Sequence, residues 1–108
     1  MNRERVQMLR DMMEGVPEEN IFLDSVYRGR RPGMDYPDHA TCGTIACMFG
    51  FARLYPPFIE QGIREHQTFV TAAIQFFDIP HSVFMGIRSY ELGPHKQIAL
   101  RRLDALLK

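Results

Sequence analysis

Thr41-Cys42-Gly43-Thr44-Ile45-Ala46-Cys47-Met48-Phe49-Gly50-Phe51-Ala52 is the stretch that decides the fold. From Cys42 to Ala52 it carries no charge, in a chain that is otherwise rich in Arg, Lys, Asp and Glu. A helix over these residues would be apolar on nearly every side and therefore buried on most of them. The reading is a central helix, capped by Thr41 or Cys42 and stopped at Leu54-Tyr55, because Pro56 disfavours helical geometry in the residue before it. At about 100° per residue, Cys42, Ala46 and Gly50 fall on one stripe of small groups that lets a neighbour approach, with Ile45, Phe49 and Ala52 on a second face and Cys47 and Phe51 on a third.

Outward from this stretch, helical spacing recurs and strand alternation does not. Val6, Leu9 and Met13, with Met8 and Met12 beside them, place a helix over residues 3–14 that Gly15 and Pro17 end. Residues 16–40 form a loop with one short helical turn at its start, since Pro and Gly punctuate it and only Ile21-Phe22-Leu23 and Val26-Tyr27 are apolar. Pro56-Pro57 can open a short helix running to Ile63. A second apolar helix spans 66–77, with Phe69, Val70, Ala73, Ile74 and Phe77 inward and Thr71 and Gln75 outward. A short helix over 80–87 and an amphipathic one over 94–107 follow, the latter with Ala99, Leu103 and Leu106 inward and Arg101, Arg102 and Lys108 outward. The expected fold is all-α: one domain over residues 1–108, a compact bundle of short helices around a buried central helix.

Thirteen basic and thirteen acidic side chains cancel, so no global field draws the chain to nucleic acid or to an anionic membrane. No apolar run approaches the length of a bilayer span and the first residues are charged, which points to a cytoplasmic protein without a membrane partner. The two cysteines, five apart on one helix, would diverge by about 140° and remain reduced thiols.

Three kinds of chemistry have candidate residues. A thiol at a helix N-terminus beside a glycine feels unpaired N–H groups, so Cys42 is the candidate nucleophile of a small cysteine-dependent enzyme, with His39 the nearest base in sequence. His66, His81 and His95 are also available, and no spacing singles one out. The plainer reading is that Cys42 and Cys47 are small buried hydrophobes. A zinc site from His39, Cys42 and Cys47 is disfavoured because the two sulfurs would diverge, and neither a metal nor a cofactor is expected. Gly43 and Gly50 fit close packing, and Thr44 a local cap. Arg28-Gly29-Arg30-Arg31-Pro32-Gly33 is the one dense basic cluster. With Tyr27 and Tyr36 it makes the loop a recognition surface for a protein, or for a nucleotide or nucleic acid, which the overall charge does not favour. The methionines of the first helix could form an adaptable binding face, although filling an irregular core is the commoner explanation.

Cys42-Gly43-Thr44, followed by Cys47 and by Gly50 with an aromatic residue and an alanine after it, resembles the CGTxxCxxG pattern of small phage and prophage proteins of no settled activity. Ala72 to Ile79, then Ser82-Val83-Phe84, then Ala99 to Leu107 fall in the order of their later segments. Phe77-Asp78 stands where those proteins usually have leucine-glycine, and Pro56-Pro57 is a further departure. The resemblance implies a phage or prophage origin. With no complete catalytic set in view, it makes binding and modulating a host macromolecule, for example inhibiting a host defence or regulatory protein, the leading expectation. The oligomeric state is left open.

Overall fold

A computed structural model describes residues 1–23, 46–84 and 86–108 of the chain. Its architecture is all-α, and the buried apolar side chains of these residues gather in one cluster. Helix α1, Arg3–Glu14, is capped by Asn2, whose side chain accepts from the Arg5 N–H, and it ends at Gly15, which donates to Met12. Helix α5, His95–Leu107, follows Pro94 at its N-cap. Both were placed by the periodicity of their apolar residues: Val6, Leu9 and Met13 of α1 and Ala99 and Leu103 of α5 are buried, Leu106 is only partly so, and Ile98 and Leu100 are buried as well.

These two long helices pack antiparallel, as their side-chain bonds show. Arg3 at the start of α1 donates to the carbonyl of Leu107 at the end of α5. In the middle, Arg10 Nε lies 3.0 Å from Asp104 Oδ1. At the far end, Lys96 Nζ donates to the carbonyl oxygens of Glu14 at 2.8 Å and Val16 at 2.7 Å. The last carbonyls of a helix have no partner within it, and α1 has no basic residue of its own in its last turn, so Lys96 of the neighbouring helix supplies the cap.

The central stretch departs from expectation in length and in start. Helix α2 covers only Met48–Ala52, all five residues buried, with Cys47 at its N-cap in extended geometry (φ −81°, ψ −178°). Ala46 is not helical; it forms an isolated parallel bridge with Ile21. The Phe22 N–H donates to the Ala46 carbonyl at 3.0 Å and the Ala46 N–H to the Asn20 carbonyl at 3.1 Å. A backbone group given to a bridge cannot also serve the i to i−4 ladder, so the first helical bond is from Phe51 to Cys47. The expected stripe of Cys42, Ala46 and Gly50 is therefore not one helical stripe, although Ala46 and Gly50 are both buried. Helix α2 also stops earlier than Leu54: a turn at Arg53-Leu54 leads to Tyr55, extended as a residue before proline tends to be, and Pro56 opens α3, Pro56–Glu60.

Helix α4 begins as Phe69–Thr71 behind a Thr68 cap, and its chain continues as a π-helix over Ala72–Phe77. The wider turn, i to i+5, changes which residues face the core. Ala72, Ala73, Phe76 and Phe77 are buried, while Ile74, expected inside, is 53% exposed. Asp78 then adopts a left-handed conformation (φ 55°) and the Ile79 N–H closes back on the Ala73 carbonyl at 2.9 Å. Among the described residues of the segment expected to be helical over 80–87, only His81–Val83 is helical, and it is a single 3-10 turn.

Aromatic rings link these elements. Phe58 of α3 meets Phe77 edge-on at 5.3 Å, Phe77 meets Phe84 at 5.6 Å, and Phe84 stacks on Phe49 of α2 at 6.2 Å. All four rings are fully buried, and each is worth roughly 1.5–3 kcal/mol of apolar transfer in addition to its ring contacts. No helix among the described residues is long and apolar enough to cross a membrane.

Candidate functional site

Of the candidate site and motif residues singled out in the sequence, Cys47, Gly50, His66, His81 and His95 are described. Tyr27, Arg28, Arg30, Arg31, Tyr36, His39, Cys42, Gly43 and Thr44 lie outside the described residues. Cys47 carries a fully buried thiol. Helix α2 starts after Cys47, so the reasoning that placed Cys42 at the N-terminus of this helix does not hold: the first turn of α2 begins at Met48. The five-residue separation of the cysteines along one helix fails for the same reason.

The described histidines serve packing and backbone satisfaction. His95 Nδ1 accepts the Leu23 N–H at 2.9 Å, and its ring meets Phe22 edge-on at 5.2 Å. His66 lies against Phe76 and His81 against Phe69. No three His, Cys, Asp or Glu side chains among the described residues are grouped to hold a metal ion.

A different surface stands out, built on α5 and the segment that precedes it. Gly86 turns the chain with φ 86° and donates its N–H to the Leu23 carbonyl at 2.7 Å; Gly93 turns it again with φ 102° ahead of Pro94. Between these left-handed positions, which favour glycine, the segment 86–92 leaves Ile87, Tyr90 and Leu92 43%, 76% and 75% exposed. The segment is nonetheless fixed. Arg102, expected to point outward, turns in, and its side chain is only 8% exposed.

The guanidinium of Arg102 grips Glu91 with Nε to Oε2 at 2.8 Å and Nη2 to Oε1 at 2.6 Å, the bidentate fork that Arg makes with carboxylates. It donates further to the carbonyls of Val83, at 3.0 Å, and of Gly86. Glu91 in turn accepts the Arg88 N–H at 2.9 Å. Hydrogen bonding from Arg102 is the largest cause that holds the Glu91 carboxyl down at about 2, against the opposing effect of its burial. One residue of α5 thus ties down both ends of the turn that displays Tyr90.

Between this segment and α5 lies a cleft of about 270 Å³ lined by Arg88, Tyr90, Glu91, Arg101, Arg102 and Ala105. A second cleft, between α1 and α5, is crossed by the Arg10–Asp104 and Arg10–Glu14 ion pairs, and Lys96 at its wall is committed to the carbonyls of Glu14 and Val16. The sequence contained a signal for the first site. Tyr90 and Leu92 are large apolar residues beside Gly93-Pro94, outside any helical period, and Glu91 is the one acid among them. No family model, curated protein or solved structure matches the chain.

Proposed function

We propose that this chain is a small accessory protein of phage or prophage type that acts without catalysis in the host cytoplasm, by docking on a host macromolecule and modulating it. The origin rests on the CGTxxCxxG resemblance. The docking rests on one observation, the display of Ile87, Tyr90 and Leu92 on a segment fixed by Arg102. Exposed apolar side chains on a rigid support lose little conformational freedom on binding, and tyrosine is enriched among residues that anchor interfaces.

Affinity capture from host lysate tests the reading, with the wild-type chain and a Tyr90→Ser/Leu92→Ser variant as baits. A stoichiometric partner held by the wild type and lost by the variant is expected, with the fold of the variant unchanged by circular dichroism. A partner held equally by both would refute docking through this surface. A third bait carrying Arg28→Ser, Arg30→Ser and Arg31→Ser reports whether the basic loop shares the interface, and its residual binding at high salt separates a protein pocket from a polyanion.

A further inference from the structure

The cleft beside Tyr90 has a charge as well as a shape. Three arginines line it against one carboxylate, and that carboxylate is committed: Glu91 gives both oxygens to Arg102. Arg88 shares Glu91 Oε1 only at 3.4 Å and is 37% exposed. Arg101 bonds to the backbone carbonyls of Gln97 and Leu92 and forms no ion pair among the described residues. Two guanidiniums at the mouth therefore lack a full counter-charge, beside the Tyr90 ring and the Ala105 methyl.

We propose that this cleft receives a short acidic segment of a protein partner, with a carboxylate between Arg88 and Arg101 and a neighbouring apolar side chain against Tyr90 and Ala105. The proposal rests on the docking reading above and adds the chemistry of the occupant. Arginine forks match carboxylate geometry, and a cleft of about 270 Å³ lies at the small end of ligand sites, which run from about 300 to 1,000 Å³, so it suits one or two side chains. A nucleic acid is the poorer fit. A phosphate backbone needs a run of uncompensated cations, whereas Glu91 lies inside this cleft.

Selection of a random peptide library displayed on filamentous phage, with the full chain as bait, tests this directly. Enriched peptides should pair Asp or Glu with an adjacent aromatic or leucine residue. The best of them, made synthetically, should bind an Arg88→Ser/Arg101→Ser variant roughly tenfold or more weakly than the wild type. Arg101→Glu alone should weaken it at least as much as Arg101→Ser. Exchanging the peptide's acid for its amide should cost a similar factor with the wild type and nearly none with the double variant. Equal melting temperatures of these variants and the wild type keep the comparison one of binding.

The proposal is overturned by no enrichment, by enriched peptides without an acid, or by binding indifferent to both arginines. Displacement of the peptide by a single-stranded oligonucleotide at lower concentration than by the peptide itself overturns it in favour of a polyanion. Peptides that need Tyr90 and Leu92 but neither arginine refute the acidic chemistry alone and leave the docking reading standing. No enrichment, together with undiminished lysate capture by Tyr90→Ser/Leu92→Ser, refutes both.

Discussion

Replacing Glu91 by Gln tests the clamp that supports the displayed segment, because it removes one charge and almost no volume. The Glu91 carboxyl is held down from 4.5 to about 2, chiefly by hydrogen bonds from Arg102. At ~1.4 kcal/mol for each pH unit, the ionised carboxylate contributes at most ~3 kcal/mol to folding at neutral pH. The partners are 8% and 12% exposed, so solvent screens the pair little.

Leaving the largely covered Arg102 without its counter-charge costs up to a similar amount. Urea unfolding at pH 7 should therefore show Glu91→Gln less stable by up to ~3 kcal/mol, and the melting temperature should fall by up to roughly 10–20 °C. The pH dependence gives a second check. Folding lowers the affinity of this carboxyl for its proton, so the stabilisation is complete above about pH 4.5 and is lost as pH falls through about 2. The gap between wild type and variant should narrow over that window. Adding Glu91→Gln to Arg102→Met should cost much less than Glu91→Gln alone, since neither charge is then left buried. A loss below about 1 kcal/mol at pH 7, or a gap that stays constant down to about pH 2.5, would refute the reasoning.

Three further outcomes are expected. Lys96→Met should cost ~1–3 kcal/mol in urea unfolding, because it strips the carbonyls of Glu14 and Val16 of their donor, and Lys96→Arg should recover part of the loss. Gly50→Leu should lower stability by ~1–3 kcal/mol or more through overpacking of the buried α2, and an unchanged melting curve would show that the core does not close on it. Cys47 should react with iodoacetamide at a rate that follows unfolding, read by peptide mass spectrometry; fast labelling of the native chain would contradict its burial.

The two long helices were legible because their apolar residues recur at helical spacing and their ends carry Asn2, Gly15 and Pro94, each a boundary signal with a local mechanism. The starts of α2 and α3 differ in this respect. Pro56-Pro57 marks α3 locally, but nothing local marks Met48, because an uninterrupted apolar run fits a buried helix and a buried extended segment equally. What decided the matter was the bridge from Ala46 to Ile21, a pairing across the chain. The inward turn of Arg102 was hidden for a similar reason: a charged residue on an amphipathic helix is assigned to solvent unless its partner is known. That partner, Glu91, is set opposite it by the turns at Gly86 and Gly93. Ile74 was misplaced because the period assumed for α4 was that of an α-helix.

The antiparallel pairing of α1 with α5 has a consequence for the order of events during synthesis. The Arg10–Asp104 pair joins residues 94 apart, and the cap on α1 comes from Lys96. A helix of 12 residues is marginal in water without packing partners, and a nascent chain that has emerged only through α4 offers α1 the carbonyls of Phe76 and Phe77 but not its long neighbour α5. Such a chain lacks both the Lys96 cap and the Arg10–Asp104 pair, so its first helix is held less firmly, and chaperones or proteases meet it in that condition. A stop codon before His95 would therefore be expected to yield an aggregating or degraded fragment, with folding gated by translation of α5.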